Sequence, residues 1–318
     1  MSKRPCIVVI GSLVFDFVAK AQRLPRKGET ILGEMFGMFP GGKGANQAVQ
    51  ASRLGAEVFL IGRVGDDFLG ERLLADLKES GVSAEFVKRD PTVKTAACCI
   101  HVDAEGHNAI VIVPEANMAC SKRDVDAAKS VLQSADMVLC QLEVYLPTVE
   151  YAITLAAECG VPVILNPAPA QPLPAALYSK VTVLTPNETE AELLTGSAAE
   201  GAASPGQSSW ESLAARKLLS FGPKTVIITL GERGAYLADK TWEHLIPTFP
   251  VSVVDATAAG DAFSGALAVA LAEGKEMEQA VTFANAAGAL ATTRNGAQPS
   301  MALRAEVEEF LRKFHHGK

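Results

Sequence analysis

The stretch "GANQAVQASRLGAEVFLIGRVGDDFLGERLLADLKESG", Gly44 to Gly81, contains one complete unit of an alternating pattern. Small residues from Gly44 to Leu54 read as a helix. "EVFLIGRVG" is a mostly apolar run closed by glycine, and "FLGERLLADLKESG" returns to a helical period. A buried strand between two helices is the signature of a parallel sheet covered on its faces. The pattern extends both ways. Upstream, Ile7 to Ile10 forms a first apolar run ending at Gly11-Ser12. Downstream come "DMVLCQLE", a helix around Val149 to Cys159, "PVILNPAPA", "VTVLTPN", "ETEAELLTG" and "TVIITLGERGAYL". The expected class is α/β, a doubly wound and mostly parallel sheet flanked by helices.

Segments of another character interrupt this order in two places. "FDFVAKAQRLP" and "ETILGEMFGMFPGG" are strand-like and broken by Pro25 and Gly28, and Thr95 to Val113 reads as a hairpin about the turn "AEGH". We expect the two pieces to pair as a small β lid, residues 15–40 and 95–113. Residues 1–14, 41–94 and 114–318 then form the α/β body. Ala96 to Val102 and Ala109 to Val113 are apolar on both faces, which predicts that the outer face of the lid meets a second subunit in a homodimer. "GSAAEGAASPGQSS", Gly196 to Ser209, has the composition of a surface loop.

A net charge of -7 argues against a general nucleic-acid or membrane-surface binder and leaves room for a local phosphate site. No apolar run reaches membrane-spanning length, and the run near the N-terminus is too short for a signal peptide. The six cysteines are scattered with no C-x-x-C pair. They read as reduced thiols of a cytoplasmic protein.

Three features fall just beyond strand ends, where sheets of this class bind ligands. In "VVDATAAGDAFSGAL", Val253 to Leu267, the small residues Ala258, Ala259 and Gly260 precede Asp261 where a helix opens. Asp261 could complement the helix dipole, or the bare turn could admit a phosphate to the helix N-terminus. "PGGKGANQ", Pro40 to Gln47, falls short of a P-loop because Gly44 stands where a Mg²⁺-binding hydroxyl is needed and no strand leads directly into it. Gly41-Gly42 reads instead as a hinge or as a plain tight turn, with Lys43 and Asn46 as polar anchors. In "TPNETEAELLTG", Asn187, Glu188 and Glu190 could cap a helix or organise Mg²⁺ and its waters. Gly231 and Gly234 after "IITL" allow either a close approach to a ligand or an ordinary hairpin turn. Asp16 and Glu143 are lone acids at strand ends.

Together "GGKGANQA", "QLE", "NPAPA", "TPNETEAE" and "DATAAGDAF" resemble the ribokinase (pfkB) family of carbohydrate kinases, and the likeness runs from "VVIGSLVFD" to "TRNGAQPS". The resemblance implies transfer of the γ-phosphoryl group of ATP to the 5-hydroxyl of a pentose, giving ribose 5-phosphate from D-ribose. It assigns Asp16, Gly42, Lys43, Asn46 and Glu143 to the sugar. Asn187, Thr229, Gly231, Gly234, Gly260 and Asn285 fall to the nucleotide. Asp261 becomes the base, beside an anion hole at Ala258, Ala259 and Gly260. Asp255, Thr257, Ala291, Arg294, Gly296 and Ser300 would hold K⁺, and Glu190 would act on Mg²⁺ indirectly.

The sequence departs from the family pattern at Val14, where many members offer an asparagine to the sugar, at Ala256 and Ala262, and at "PEANM", Pro114 to Met118. Val14 keeps a deoxyribokinase or another sugar kinase in view. A non-catalytic sugar or nucleotide sensor has no need of Asp261 and Gly260. A dinucleotide-dependent oxidoreductase fails because "GSLVFD" lacks the G-x-G-x-x-G turn.

Overall fold

The first strand divides the chain's main sheet at the point where its connections change direction. The computed structural model describes residues 4–197 and 209–315. In chain order its strands are β1 (Cys6–Ile10), β2 (Val14–Lys20), β3 (Met35–Gly41), β4 (Glu57–Gly65), β5 (Val82–Ser83), β6 (Val87–Asp90) and β7 (Ala97–Val102). They continue as β8 (Asn108–Val113), β9 (Met137–Cys140), β10 (Val163–Leu165), β11 (Val183–Leu184), β12 (Thr225–Thr229), β13 (Ala235–Ala238) and β14 (Glu243–Ile246). The main sheet has the order β14-β13-β12-β11-β10-β9-β1-β4-β5, with β6 also on β4. Its pairs from β5 to β12 are parallel, and β13 and β14 close one side antiparallel. From β1 the chain winds outward through β4 and later resumes at β9 on the other side. The crevice beyond β1 and β9 is therefore the switch point where a doubly wound sheet takes its ligand.

Alternation along β1 sends Ile7 and Val9 into one apolar core and Val8 and Ile10 into another, so the sheet is covered on both faces. Helices Lys43–Arg53, Ala259–Ala272 and Met277–Ala291 cover the first face; Leu146–Glu158 and Trp210–Phe221 cover the second. The small residues of the first set permit very close contact. A Cβ on Gly44 would lie 2.5 Å from the Gly11 carbonyl carbon and from the Ser12 nitrogen, and one on Gly265 would lie 2.6 Å from the Gln47 carbonyl oxygen.

The two interrupting pieces pair as expected into a separate four-stranded lid, β3-β2-β7-β8. Strands β2 and β3 are antiparallel, β2 and β7 parallel, and β7 and β8 antiparallel. Phe15 reaches back into the main core, whereas Val14, Ala96 and Cys98 form a small cluster of their own. Every residue of β8 is exposed, including Ile110, Val111, Ile112 and Val113, and so is Phe36 on β3. Lid and body meet at Gly41, which ends β3, and Gly42, which caps the Lys43–Arg53 helix at φ 91°. A Cβ at Gly42 would sit 2.8 Å from the Val14 nitrogen, so close packing alone requires this glycine. Of the stretch read as a surface loop, Gly196 is a left-handed helix cap and Ser209 an N-cap, and positions 198–208 lie outside the described residues.

Candidate active site

Ala258 stands at φ 60°, in the left-handed region, and caps the Ala259–Ala272 helix. An L-residue with a Cβ pays about 1–2 kcal/mol for that conformation. The turn it makes leaves the N–H groups of Gly260 and Asp261 without partners among the described residues, while that of Ala259 makes only a long 3.3 Å contact with the Ala256 carbonyl. A Cβ added at Gly260 would meet nothing within 4 Å. The bare turn thus faces open space, a cavity of about 180 Å³ that also touches Lys43, Asn187, Glu190 and Thr229. Helix N–H groups facing such a space attract an anion.

Asp261 opens into the same cavity, yet its side chain is nearly buried. Its Oδ2 accepts from Asn46 Nδ2 at 2.9 Å, and its Oδ1 accepts from Gln47 Nε2 at 2.9 Å. A dipole-complementing surface acid would need neither bond. Asp261 also raises the Lys43 ammonium above the ordinary lysine value, against the effect of burial, with Glu143 and Glu190 adding to it. Lys43 is therefore held as a cation between three carboxylates. Burial pushes the Glu190 carboxyl up, opposed by a backbone hydrogen bond from Asn187 and by Lys43. Asn187 and Glu190 form a reciprocal capping box: Asn187 N–H donates to Glu190 Oε2 at 2.9 Å, and Glu190 N–H to Asn187 Oδ1 at 2.8 Å. The cap is real, and the capping carboxylate borders the cavity as well.

Lid and body together supply a second cluster next to the first. Glu143 Oε2 accepts from Ser12 Oγ at 2.5 Å and from the Lys43 backbone N–H at 3.0 Å. Asp16 of β2 is pushed up from the usual 3.8 to about 7, first by burial and then by the negative charge of Glu143. Its carboxylate occupies the space that a Cβ on Gly41 would need, with Oδ2 only 2.2 Å from that position. Val14, two residues before Asp16 on the same strand, is buried and offers no polar atom here. Asn117 of "PEANM" holds the intervening linker, accepting from Leu13 N–H at 3.1 Å and donating to the Leu13 carbonyl at 3.0 Å.

A model of the pfkB family carbohydrate kinases matches residues 5–303. The chain belongs to this family. It is 42% identical to the ribokinase of Bacillus subtilis (strain 168) over 306 residues, covering 96% of this chain and 99% of the relative. It is 34% identical to a deoxyribokinase of Salmonella typhi over 308 residues, covering 96% and 98%. The solved structure of Arabidopsis thaliana ribokinase complexed with ribose and ATP is 33% identical, with a TM-score of 0.88 and coverage of 98% of this chain and 99% of that one.

Other residues singled out in the sequence lie elsewhere in this carbohydrate kinase. Gly231 and Gly234 bracket a one-turn 3-10 segment joining the antiparallel β12 and β13, and a Cβ on Gly234 would collide with the Ile246 carbonyl oxygen at 2.2 Å. Asn285 donates to the carbonyls of Ile246 at 3.1 Å and Pro247 at 3.3 Å, fixing the end of β14. Neither set lines the cavity described above. Asp255 accepts from Thr257 N–H and Gly296 N–H, each at 2.9 Å, which ties together two loops beside the helix opening. Burial alone would raise Asp255; these hydrogen bonds outweigh it and hold the carboxyl low. The Arg294 side chain turns away to pair with Glu306, and buried Ser300 donates to the Ala297 carbonyl at 2.7 Å.

Four polar residues of the kinase cleft escaped the sequence reading: Ser12, Gln47, Gln141 and Asn166. The signal was positional, because Ser12, Gln141 and Asn166 directly follow or nearly follow β1, β9 and β10 at the switch point.

The raised Asp16 value carries a stability consequence of definite sign. Its folded pKa of about 7 lies above the ordinary 3.8, so ionised Asp16 disfavours the fold. The penalty is absent below the unfolded value, grows between the two values and is complete above about 7. Asp16→Asn should therefore melt above the parent at pH 8 and level with it at pH 4, measured by circular dichroism at both. A parent that melts higher than the variant at pH 8 would contradict the assignment.

Proposed function

We propose that this kinase transfers the γ-phosphoryl group of ATP to the 5-hydroxyl of D-ribose, with Asp261 as the base that takes the hydroxyl proton. The observation that carries the reading is the placement of one oriented carboxylate beside helix N–H groups with no partner among the described residues. The Asp261 carboxylate accepts the proton, while the N–H groups of the Ala258–Ala259–Gly260 turn and of Asp261, of which those of Gly260 and Asp261 are unpartnered among the described residues, stabilise charge developing on the phosphoryl oxygens. Because the transition state is loose, positioning and charge stabilisation supply most of the acceleration. Lys43 adds a half-buried positive charge between Asp261, Glu143 and Glu190.

Asp16, Gly42, Lys43, Asn46 and Glu143 serve the sugar in this scheme. Asn187 and Thr229 line the nucleotide side of the cavity, and Gly231, Gly234 and Asn285, which lie outside that cavity, are assigned to the nucleotide by the family likeness alone. Glu190 is a single oxygen donor whose Oε2 is already engaged in the cap. It suits a Mg²⁺ ion carried by the phosphates and reached through water. That ion would neutralise phosphate charge and orient the chain of phosphates. Asp255 ties the Thr257 and Gly296 backbones together, and the family likeness adds Ser300 and the main chain at Ala291 and Arg294 to this set of oxygen donors. One negative charge among hard donors fits K⁺, which would steady the anion hole without touching substrate.

Val14 favours a second reading within the same chemistry. A buried valine makes no demand for a sugar hydroxyl, so 2-deoxyribose should be discriminated against less strongly than by a site that hydrogen-bonds each hydroxyl. The sequence and six free cysteines support a cytoplasmic enzyme.

A coupled ADP-release assay with ribose, 2-deoxyribose and hexoses, run in K⁺ and in a bulky organic cation, tests this scheme. Ribose should give the highest kcat/KM, with 2-deoxyribose second and K⁺ the faster medium. A hexose preferred over ribose would overturn the substrate assignment, and equal rates in both cations would overturn the K⁺ site.

The exposed apolar strand β8, with Val111 65% and Ile110 54% accessible, supports a homodimer formed through the lid. Sedimentation velocity should then show a species of twice 33.4 kDa, and Val111→Asp should convert it to the monomer. A parent protein that is monomeric at tens of micromolar would remove the dimer.

A further inference from the structure

We propose that Gln47 is a positioning residue for the phosphoryl-transfer step, one that fixes the carboxylate plane of Asp261 and is itself fixed by Gln141 and Asn166. The inference rests on Asp261 acting as the base.

Gln47 and Gln141 are fully buried, and Asn166 and Asp261 nearly so. A buried amide is tolerated where its groups are paired, and here the pairing has a direction. Gln47 Nε2 donates to Asp261 Oδ1 at 2.9 Å and to Asn166 Oδ1 at 3.0 Å, which uses both of its hydrogens. Gln47 Oε1 accepts from Gln141 Nε2 at 2.6 Å. Asn166 in turn donates through Nδ2 to the Thr185 carbonyl at 2.9 Å, so its oxygen must face Gln47.

Each amide therefore dictates the orientation of the next. An ionised carboxylate can only accept, so the nitrogen of Gln47 must face Asp261. The oxygen of Gln47 then needs a donor, and Gln141 supplies it. Gln141, Asn166 and Thr185 follow the ends of three adjacent strands, β9, β10 and β11. The rigid edge of the sheet thus sets the orientation of a carboxylate on a helix that packs over it. Asn46 holds the other oxygen from the same helix as Gln47.

The arrangement costs something, since Gln141 Oε1 and Asn46 Oδ1 are buried without partners among the described residues. A core selected only for stability would replace such amides with apolar side chains. Proton transfer, in contrast, needs the accepting lone pair aligned with the sugar hydroxyl. Small misplacements of that kind lower turnover far more than binding.

The test uses Gln47→Met and Gln141→Met, which keep volume and remove the donors, and the double variant. Gln47→Met should lower kcat about 10- to 100-fold, the scale of a misplaced reacting group, with ribose and ATP dissociation constants, by calorimetry, within about threefold. Gln141→Met should act in the same direction and less strongly. Because both act through one chain, the double variant should be within about twofold of Gln47→Met alone, a non-additivity that independent sites do not show.

A folded Gln47→Met protein with parental kcat overturns the proposal, and so do single effects that multiply in the double variant. Should Gln47→Met not fold, Gln141→Met decides alone: lowered kcat with unchanged binding supports the relay, and parental kcat overturns it. A parent enzyme with no ribose-dependent ADP release would instead overturn the ribose kinase reading.

Discussion

The contact between Gly44 and the backbone of Gly11 and Ser12 is the constraint on which the cleft depends. No side chain fits there, because a Cβ would lie 2.5 Å from backbone atoms. The Lys43–Arg53 helix is consequently seated directly on the end of β1. From that seat it presents Lys43, Asn46 and Gln47 at fixed heights above the strand ends. The glycine of the facing helix, Gly265, repeats the device against the Gln47 carbonyl. Close backbone approach on both sides is what brings Asn46 and Gln47 within hydrogen-bonding distance of Asp261.

Electrostatics then follow from geometry. Glu143, Glu190 and Asp261 gather around one lysine, with Asp16 beside Glu143, in a cleft that must also admit phosphate. Left unpaired, so many carboxylates would repel each other and the ligand. The structure distributes them differently: Glu143 is bound by Ser12 and the Lys43 backbone, Glu190 closes a helix cap, and Asp261 is held by two amides. Asp16, desolvated by burial and facing the negative charge of Glu143, is raised to about 7. The N–H groups of Gly260 and Asp261, unpaired among the described residues, remain the natural place for an anion.

Periodicity made the sheet and its helices legible, since "EVFLIGRVG" and its flanking helices emerge with nearly the boundaries read from the residues. The separate lid was legible too, from strand-like pieces that break the alternation. The antiparallel edge, β13 and β14, was less visible, because a glycine-bounded hairpin looks alike whether it ends a sheet or approaches a ligand. Asp261, Lys43 and Asn46 could be found because unusual small residues surround them. Gln47, Gln141 and Asn166 could not, since a glutamine on a helix of small residues carries no local sign that its amide reaches across to another element. Such residues become visible only once the topology has placed the strand ends side by side.

The central claim is that Asp261 takes the proton of the sugar hydroxyl rather than complementing a helix dipole. Asp261→Asn keeps the size of the side chain and removes the proton acceptor, so kcat for ribose phosphorylation measured alongside ribose binding and melting temperature tests it directly. The account predicts a fall in kcat of about 10²–10⁴-fold, the usual share of general base catalysis, with dissociation constants changed far less. Near-parental turnover by a folded Asp261→Asn protein would contradict it.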